Sequence, residues 1–118
     1  MMKEEKIWGF TEEIFANRLF EFHRLEYKKG FNCSEHIHKY KWNAFYIESG
    51  KMIVRVWNSK SDLEDYEEFI LKSGDFKKVE PGRYHQFEGL EDGVAFEVYW
   101  GEFNHDDIER RKPGTKVE

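Results

Sequence analysis

Short apolar runs that alternate with charged residues, and that end at glycine or Pro-Gly, constrain the fold of this chain more than any other feature. Residues 43–49 and 51–57 are two such runs that meet at Gly50. Segments of the same kind cover residues 67–71, 76–79, 83–87 and 93–100. An earlier run shifts its phase between Phe22 and Leu25, which predicts a bulge there. Short strands with turn signals at regular intervals are typical of an all-β sandwich or barrel.

Helix is predicted only in short pieces. Thr11 precedes two glutamates, and a threonine cap with acids in the first turn favours a helical turn that ends near Asn17. The polar tail predicts one more helical turn around Asp106–Arg110. A ferredoxin-like α+β fold would need two helices of about ten residues or more, and the sequence indicates neither.

Composition narrows the class of protein. A chain of 118 residues without repeats or linkers is expected to form a single domain over residues 1–118. Acids and bases are interspersed with a net charge of -5, which argues against nucleic acid or a membrane as partner. No segment approaches the ~20 apolar residues of a membrane helix. The lone cysteine, Cys33, excludes an internal disulfide, so we expect a cytoplasmic protein.

Three histidines form the pattern that carries chemistry. His36 and His38 are two residues apart on an extended segment, so their rings would point to the same side. An H-x-H pair alone would suggest nothing more than polar surface residues. About 40 residues later, Pro81-Gly82 forms a turn that leads into His85. Together the two segments favour a metal site made of three imidazoles.

These residues resemble the two sequence motifs of the cupin superfamily. The first motif matches residues 30–50, through Gly30, His36, His38 and Gly50, and the second matches residues 74–89, through Gly74, Pro81, Gly82 and His85. The resemblance implies a small antiparallel jelly-roll β-barrel that holds a metal inside one mouth. Such barrels often pair, so the resemblance also implies a homodimer.

One position departs from the family pattern. The glutamate that follows the histidine pair in cupins corresponds to Asn43 here. The resemblance therefore implies a divalent transition metal held by His36, His38 and His85, with Asn43 as an optional fourth ligand. A nitrogen-rich shell suits transition metals better than Mg or Ca, and the identity stays open among Zn, Fe, Mn and Ni.

A narrower resemblance spans residues 8–111. Trp8-Gly9, the histidine segment and the stretch that begins at Glu97 and runs through Trp100-Gly101 are similar to the cupin domain of type II phosphomannose isomerases. It implies action on a sugar or sugar phosphate. In that reading Glu97 is the candidate catalytic carboxylate, provided that it faces the barrel interior. The same strand has apolar residues at alternate positions, Val94, Phe96, Val98 and Trp100. This pattern indicates that these four face the core and that Glu97 points outward.

Three further residues are candidates for binding a substrate. Arg83 lies two residues before His85 and would share its face as a clamp for an anion. Lys41 would attract an anionic ligand to the barrel mouth, and Trp42 would offer an aromatic platform from a loop beside the metal. Each residue also has a plain role at the surface or in packing, so both readings stay open.

Three functions remain open on the sequence alone. The first is a metal-dependent sugar or sugar-phosphate isomerase or epimerase. The second is a non-haem iron dioxygenase with a three-histidine shell. The third is a binding protein for a carbohydrate or a metal without catalysis. A fold can host all three, so the fold does not choose between them.

Overall fold

The computed structural model describes residues 2–101 and residue 116, and these contain nine β-strands and no helix. The strands, in chain order, are β1 (Met2–Lys6), β2 (Gly9–Ala16), β3 (Phe20–Tyr27), β4 (Trp42–Ser49), β5 (Lys51–Trp57), β6 (Tyr66–Lys72), β7 (Phe76–Val79), β8 (His85–Gly89) and β9 (Gly93–Trp100). No described segment is a helix long and apolar enough to span a membrane.

The strands form two antiparallel sheets that face each other. One sheet has six strands in the order β1-β2-β3-β9-β4-β7, and the other has three in the order β6-β5-β8. Side chains from both sheets meet in one apolar core. Its fully buried members include Leu25, Phe45, Ile47, Met52, Val54 and Ala95. The predicted all-β class is confirmed, and six of the predicted segments lie within one or two residues of β4–β9.

The predicted helical turn at Thr11–Asn17 is wrong, because this segment forms most of β2. Its Thr11 pairs with Glu4 on one side and with Leu25 on the other. Pairing on both edges gives hydrogen-bond partners to backbone N–H and C=O groups that a short helix would leave without partners at its ends. The second predicted turn, at Asp106–Arg110, lies outside the described residues.

The predicted bulge occurs one strand away from its expected place. β3 pairs with β9 in unbroken register from Phe20 to Tyr27. The irregularity lies in β2, where the register shifts between Glu13 and Phe15 opposite His23 and Phe22. The change of phase in the sequence of β3 therefore lies opposite the bulge, and the bulge itself is in β2.

Candidate metal centre and adjoining cavity

Backbone hydrogen bonds join the two histidine segments. His36 lies in the irregular chain between β3 and β4, and its N–H donates to the carbonyl of His85 at 3.0 Å, while His85 donates back at 2.9 Å. The N–H of Gly82 donates to the carbonyl of His38 at 2.8 Å. Gly82 has φ +85°, a conformation that glycine adopts without strain. The Pro-Gly turn therefore holds the second segment against the first.

The three imidazole rings form one cluster. The ring centroids of His36 and His85 are 4.4 Å apart, those of His36 and His38 are 5.0 Å apart, and those of His38 and His85 are 5.2 Å apart. Each ring offers one nitrogen such that all three lie within 4.8 Å of one another. Three imidazoles at this spacing can converge on a single cation.

Hydrogen bonds to neighbouring carbonyls set the tautomer of two rings. His85 Nδ1 lies 3.1 Å from the carbonyl oxygen of Arg83, and His36 Nδ1 lies 2.9 Å from that of Ser34. A carbonyl only accepts, so each Nδ1 carries the proton and each Nε2 keeps its lone pair. This backbone contact at the second ring nitrogen is the usual support of a metal-binding histidine.

Buried polar atoms without partners mark the same place. Nε2 of His38, Nε2 of His85 and Oδ1 of Asn43 are buried and make no hydrogen bond. Each unsatisfied buried group costs about 1–3 kcal/mol. Oδ1 of Asn43 and Nε2 of His85 carry lone pairs, and Nε2 of His38 carries one in the tautomer that has its proton on Nδ1. A cation would satisfy the three atoms together. The residues present therefore fit a transition metal.

Burial also keeps two of the rings neutral. Loss of solvent, followed by the charge of the neighbouring His36, lowers the pKa of His38 to about 4. Loss of solvent likewise lowers the pKa of His85 to about 4, against the opposing effect of the Arg83 carbonyl. At neutral pH both rings are uncharged, which is the form that binds metal.

Asn43 and Glu97 lie side by side on the inner face of the large sheet. Asn43 is 1% exposed, and its Nδ2 donates to Glu97 Oε2 at 3.2 Å and to the Val98 carbonyl at 3.4 Å. Glu97 is 8% exposed and pairs across the strands with Phe45, a core residue. Residues directly opposite each other share a face, so Glu97 points inward. Burial raises the pKa of its carboxyl group.

The alternation of apolar residues in β9 predicts the wrong core face, because Glu97 points inward. The four apolar residues at even positions of this strand are all partly exposed and face outward. Ala95 and Glu97 occupy the buried side. Because both faces of β9 bear large or apolar groups, hydrophobic pattern alone does not distinguish them.

An open cavity of about 510 Å³ adjoins the cluster, with His36, Cys33, Glu97 and Tyr99 in its wall. Charged residues of both signs stand around it, namely Glu4, Lys6, Glu21 and Lys41, together with His23. Lys41 Nζ lies 3.3 Å from Glu21 Oε2 and 4.3 Å from the centroid of the Tyr99 ring. Lys41 thus lies in the wall of this cavity, and its role in binding a ligand stays a prediction.

Arg83 does not point into this cavity. Its guanidinium donates to the Trp57 carbonyl, to Glu80 Oε1 at 2.9 Å and to Asn58 Oδ1 at 2.8 Å. The expectation that it shares the face of His85 fails because β8 begins at His85, so strand alternation does not extend back to position 83. Its role as an anion clamp stays a prediction.

Trp42 also differs from expectation, because it is the first residue of β4 and not part of a loop. Its ring stacks on Trp100 with centroids 6.0 Å apart and planes inclined by 15°. Trp42 and Arg83 line a smaller hollow of about 260 Å³ on another side of the barrel. Neither residue lines the cavity beside the histidines.

Sequence reasoning missed several residues of the cavity wall. His23 and Glu21 come from β3, with His23 Nε2 3.2 Å from Glu21 Oε1, and together with Glu13 they offer a second possible set of metal ligands. Trp8 packs edge-on against Phe87 at 4.9 Å. The pairing of β2 with β3 brings Glu13 opposite His23, and the one-dimensional pattern holds no signal for that register.

Comparison with known proteins gives structural matches only. No family model and no curated protein matches the chain. KdgF from Halomonas sp. matches with a TM-score of 0.72 and 13% identity over 87% of this chain and 90% of its own. An RmlC-like cupin from Shewanella frigidimarina matches with a TM-score of 0.67 and 19% identity over 87% and 85%.

A third match extends over part of a longer protein. The capsular polysaccharide assembling protein CapF from Staphylococcus aureus matches with a TM-score of 0.71 and 19% identity, over 90% of this chain and 30% of CapF. At such identities the likeness concerns the fold. The chain therefore has the cupin fold, an antiparallel jelly-roll barrel with three histidines clustered inside it.

Proposed function

We propose that this protein binds a divalent transition metal through His36, His38 and His85 and acts on a small carbohydrate-type ligand in the adjoining cavity. The observation that carries the proposal is the convergence of three rings, two of which have buried Nε2 atoms without partners. Asn43 Oδ1 is the candidate fourth ligand. Metal identity stays open among Zn, Fe, Mn and Ni.

The cavity wall supports a polar ligand with an anionic end. Lys6 and Lys41 supply cations, Glu21 and Glu97 supply hydrogen-bond acceptors, and Trp8 supplies an aromatic surface. Sugar phosphates and sugar acids combine hydroxyl groups with negative charge, which suits such a mixed wall. CapF, which shares the fold, is by its own description a capsular polysaccharide assembling protein.

An isomerase or epimerase of the phosphomannose isomerase type is the reaction we favour. When bound, the metal would supply a Lewis acid that polarises a substrate carbonyl or hydroxyl. Glu97 faces the same cavity. Its carboxylate would accept a proton from one substrate carbon and return it to the adjacent carbon. Lys41 at the mouth would hold the anionic end.

A second candidate is a three-histidine iron dioxygenase. It is favoured by Asn43, an uncharged residue at the position where the cupin motif carries a carboxylate. A non-catalytic binding protein is the third possibility. Cytoplasmic location and a homodimer remain predictions for all three.

Metal analysis of purified protein, followed by a thermal-shift screen, tests the proposal. We expect one transition metal per chain and a higher melting temperature with sugar phosphates than with neutral sugars. Iron together with O₂ consumption would favour the dioxygenase instead. Absence of any bound or reconstituted metal would refute the metal function.

A further inference from the structure

Asn43 and Glu97 form a buried pair at the position where the cupin motif has a single glutamate. Asn43 lies on β4 opposite Tyr99, and Glu97 lies on β9 opposite Phe45, so the two are diagonal neighbours on the inner face. Both are almost fully buried. The ring of Tyr99 packs edge-on against His38 at 5.1 Å, and Glu97 lines the same cavity as His36. The pair therefore lies at the end of the barrel that holds the histidines.

The hydrogen bonds of this pair determine which way the amide points. Nδ2 of Asn43 faces two acceptors, Glu97 Oε2 at 3.2 Å and the Val98 carbonyl at 3.4 Å. A flipped amide would set its oxygen against both acceptors, so the carbonyl oxygen must turn away from them. In that orientation Oδ1 is buried and has no partner.

The Glu97 side chain also lacks a cationic partner. No lysine or arginine among residues 2–101 forms a salt bridge with it. Its hydrogen-bond partners, Asn43 Nδ2 and the Tyr99 hydroxyl, carry no charge. A buried carboxylate without a cation beside it is costly, and three imidazoles and an amide bring no negative charge to a divalent cation. A bound cation would remedy both deficits at once.

We infer that Glu97 is a positioning residue of the metal centre, which directs the Asn43 oxygen to the metal and supplies the charge that Asn43 lacks. The two roles of the family's glutamate, ligand and negative charge, would thus be shared here between Asn43 as a neutral ligand and Glu97 as a charged supporting residue. This inference rests on the proposed metal function. It concerns metal binding and is separate from the proton transfer suggested for Glu97 during catalysis.

Metal titration of three single variants by calorimetry tests the inference, with Zn²⁺ as the probe. Glu97→Gln keeps an acceptor for Asn43 and removes the charge, whereas Glu97→Ala removes both. Loss of a residue that supports a metal ligand lowers affinity by about 10–100-fold. We expect Glu97→Ala to fall in this range and Glu97→Gln to lose less. Glu88→Gln, on the far side near Arg55, is the matched control and should retain wild-type affinity.

The double variant Asn43→Ala/Glu97→Ala separates positioning from direct ligation. If Glu97 acts partly through the amide, its removal should cost less in the Asn43→Ala background than in the wild type. An equal loss in both backgrounds would show that Glu97 acts independently of Asn43 and would overturn the inference. The exchange Asn43→Glu/Glu97→Gln should recover or exceed wild-type affinity, since the charge then moves onto the ligand itself.

Two further measurements distinguish failure of the positioning role from misfolding of a variant and from absence of metal binding. The visible spectrum of the Co²⁺-loaded protein should change in Glu97→Ala, because its ligand geometry changes, and an unchanged spectrum would count against positioning. The side-chain amide signals of Asn43 in metal-free protein should shift in Glu97→Gln while the rest of the spectrum persists. If that shift occurs and wild type binds no Zn²⁺, the hydrogen bond stands, but the metal function and this inference both fail.

Discussion

On the inner face of the six-stranded sheet, β4 and β9 place Asn43 and Glu97 next to each other in a nearly dry environment. The outer face of the same sheet carries aromatic pairs: Phe22 of β3 and Phe96 of β9 lie 5.4 Å apart, and Trp42 stacks on Trp100. The usual rule puts apolar groups inside and polar groups outside. In this region the inner face carries the polar groups and the outer face carries the aromatic ones. Proteins depart from the usual rule in this way at functional sites.

The inner face is itself divided along its length. Next to the histidines it is polar, whereas a few residues further on it consists of Phe45, Ile47 and Ala95, all essentially inaccessible to solvent. The apolar part can carry the stability of the barrel while the polar part carries its chemistry. The predictions that follow test this division, beginning with the largest effect.

The histidines should be indispensable for metal binding. We expect His36→Ala, His38→Ala and His85→Ala each to lower affinity for Zn²⁺ by more than about 100-fold, because two remaining imidazoles seldom hold a metal tightly. Calorimetric titration of metal-free protein measures this. His23→Ala provides the matched histidine control and should still bind one metal at the main site. A variant with wild-type affinity would show that its histidine is not a ligand.

The apolar part of the inner face should dominate stability. Phe45→Ala should lower the free energy of unfolding by about 3–5 kcal/mol, the usual cost of a large cavity in a core. Phe96→Ala, on the outer face of the neighbouring strand, should cost only about 1 kcal/mol. Urea unfolding of the metal-free variants gives both values. Equal losses would mean that the outer face is as well packed as the core.

Acid should weaken the metal-free fold through the polar part. Unfolded histidine has a pKa of 6.5, while burial lowers the pKa of both His38 and His85 to about 4. Between these values the unfolded chain binds more protons, so the free energy of unfolding falls as pH drops from about 6.5 towards about 4. Glu97, whose pKa is raised, acts in the opposite direction.

Thermal melts across this pH range provide the measurement. His38→Gln should reduce the slope of melting temperature against pH, because glutamine does not titrate. A slope that is the same in wild type and His38→Gln would show that the histidine is not responsible. Metal-free samples are required, since a bound metal competes with protons for the rings.

The outer face provides the test of the expected homodimer. Phe15, Phe20 and Tyr46 are among its more exposed residues, at 53%, 36% and 45%. Contiguous apolar surface of this kind is uncommon on monomers. We expect sedimentation to show a dimer and Val98→Lys, at the middle of this face, to shift it to monomer. A monomeric wild type, or a Val98→Lys dimer of unchanged affinity, would contradict the expectation.

The smallest effect is expected at the cavity mouth. Lys41→Ala should weaken binding of a sugar phosphate by about 5–10-fold, as expected for a partly exposed charge of about 1 kcal/mol. Arg83→Ala should leave that affinity unchanged, since its guanidinium is occupied by Trp57, Asn58 and Glu80. Thermal-shift titration compares the two. A larger loss from Arg83→Ala would revive its role as an anion clamp.

Local patterns in the sequence were enough to predict most strands and to group the histidines. Strands β4 to β9 begin and end near glycine, proline or polar runs, and their alternation is visible without a partner strand. His36, His38 and His85 are recognisable because a two-residue spacing and a Pro-Gly turn are local features. The helical turn at Thr11 was wrong because pairing with β1 and β3 outweighs a weak cap.

Tertiary structure decided three features: which face of β9 points inward, which groups Arg83 contacts, and that His23 lies in the cavity wall. By itself the sequence determined the all-β class and the three candidate ligands, since spacing along one segment sets which side chains can meet. Only the fold decided that Glu97 turns inward to Asn43. That contact joins residues 54 positions apart through strand register, and register depends on the neighbouring strands rather than on the pattern of either strand alone.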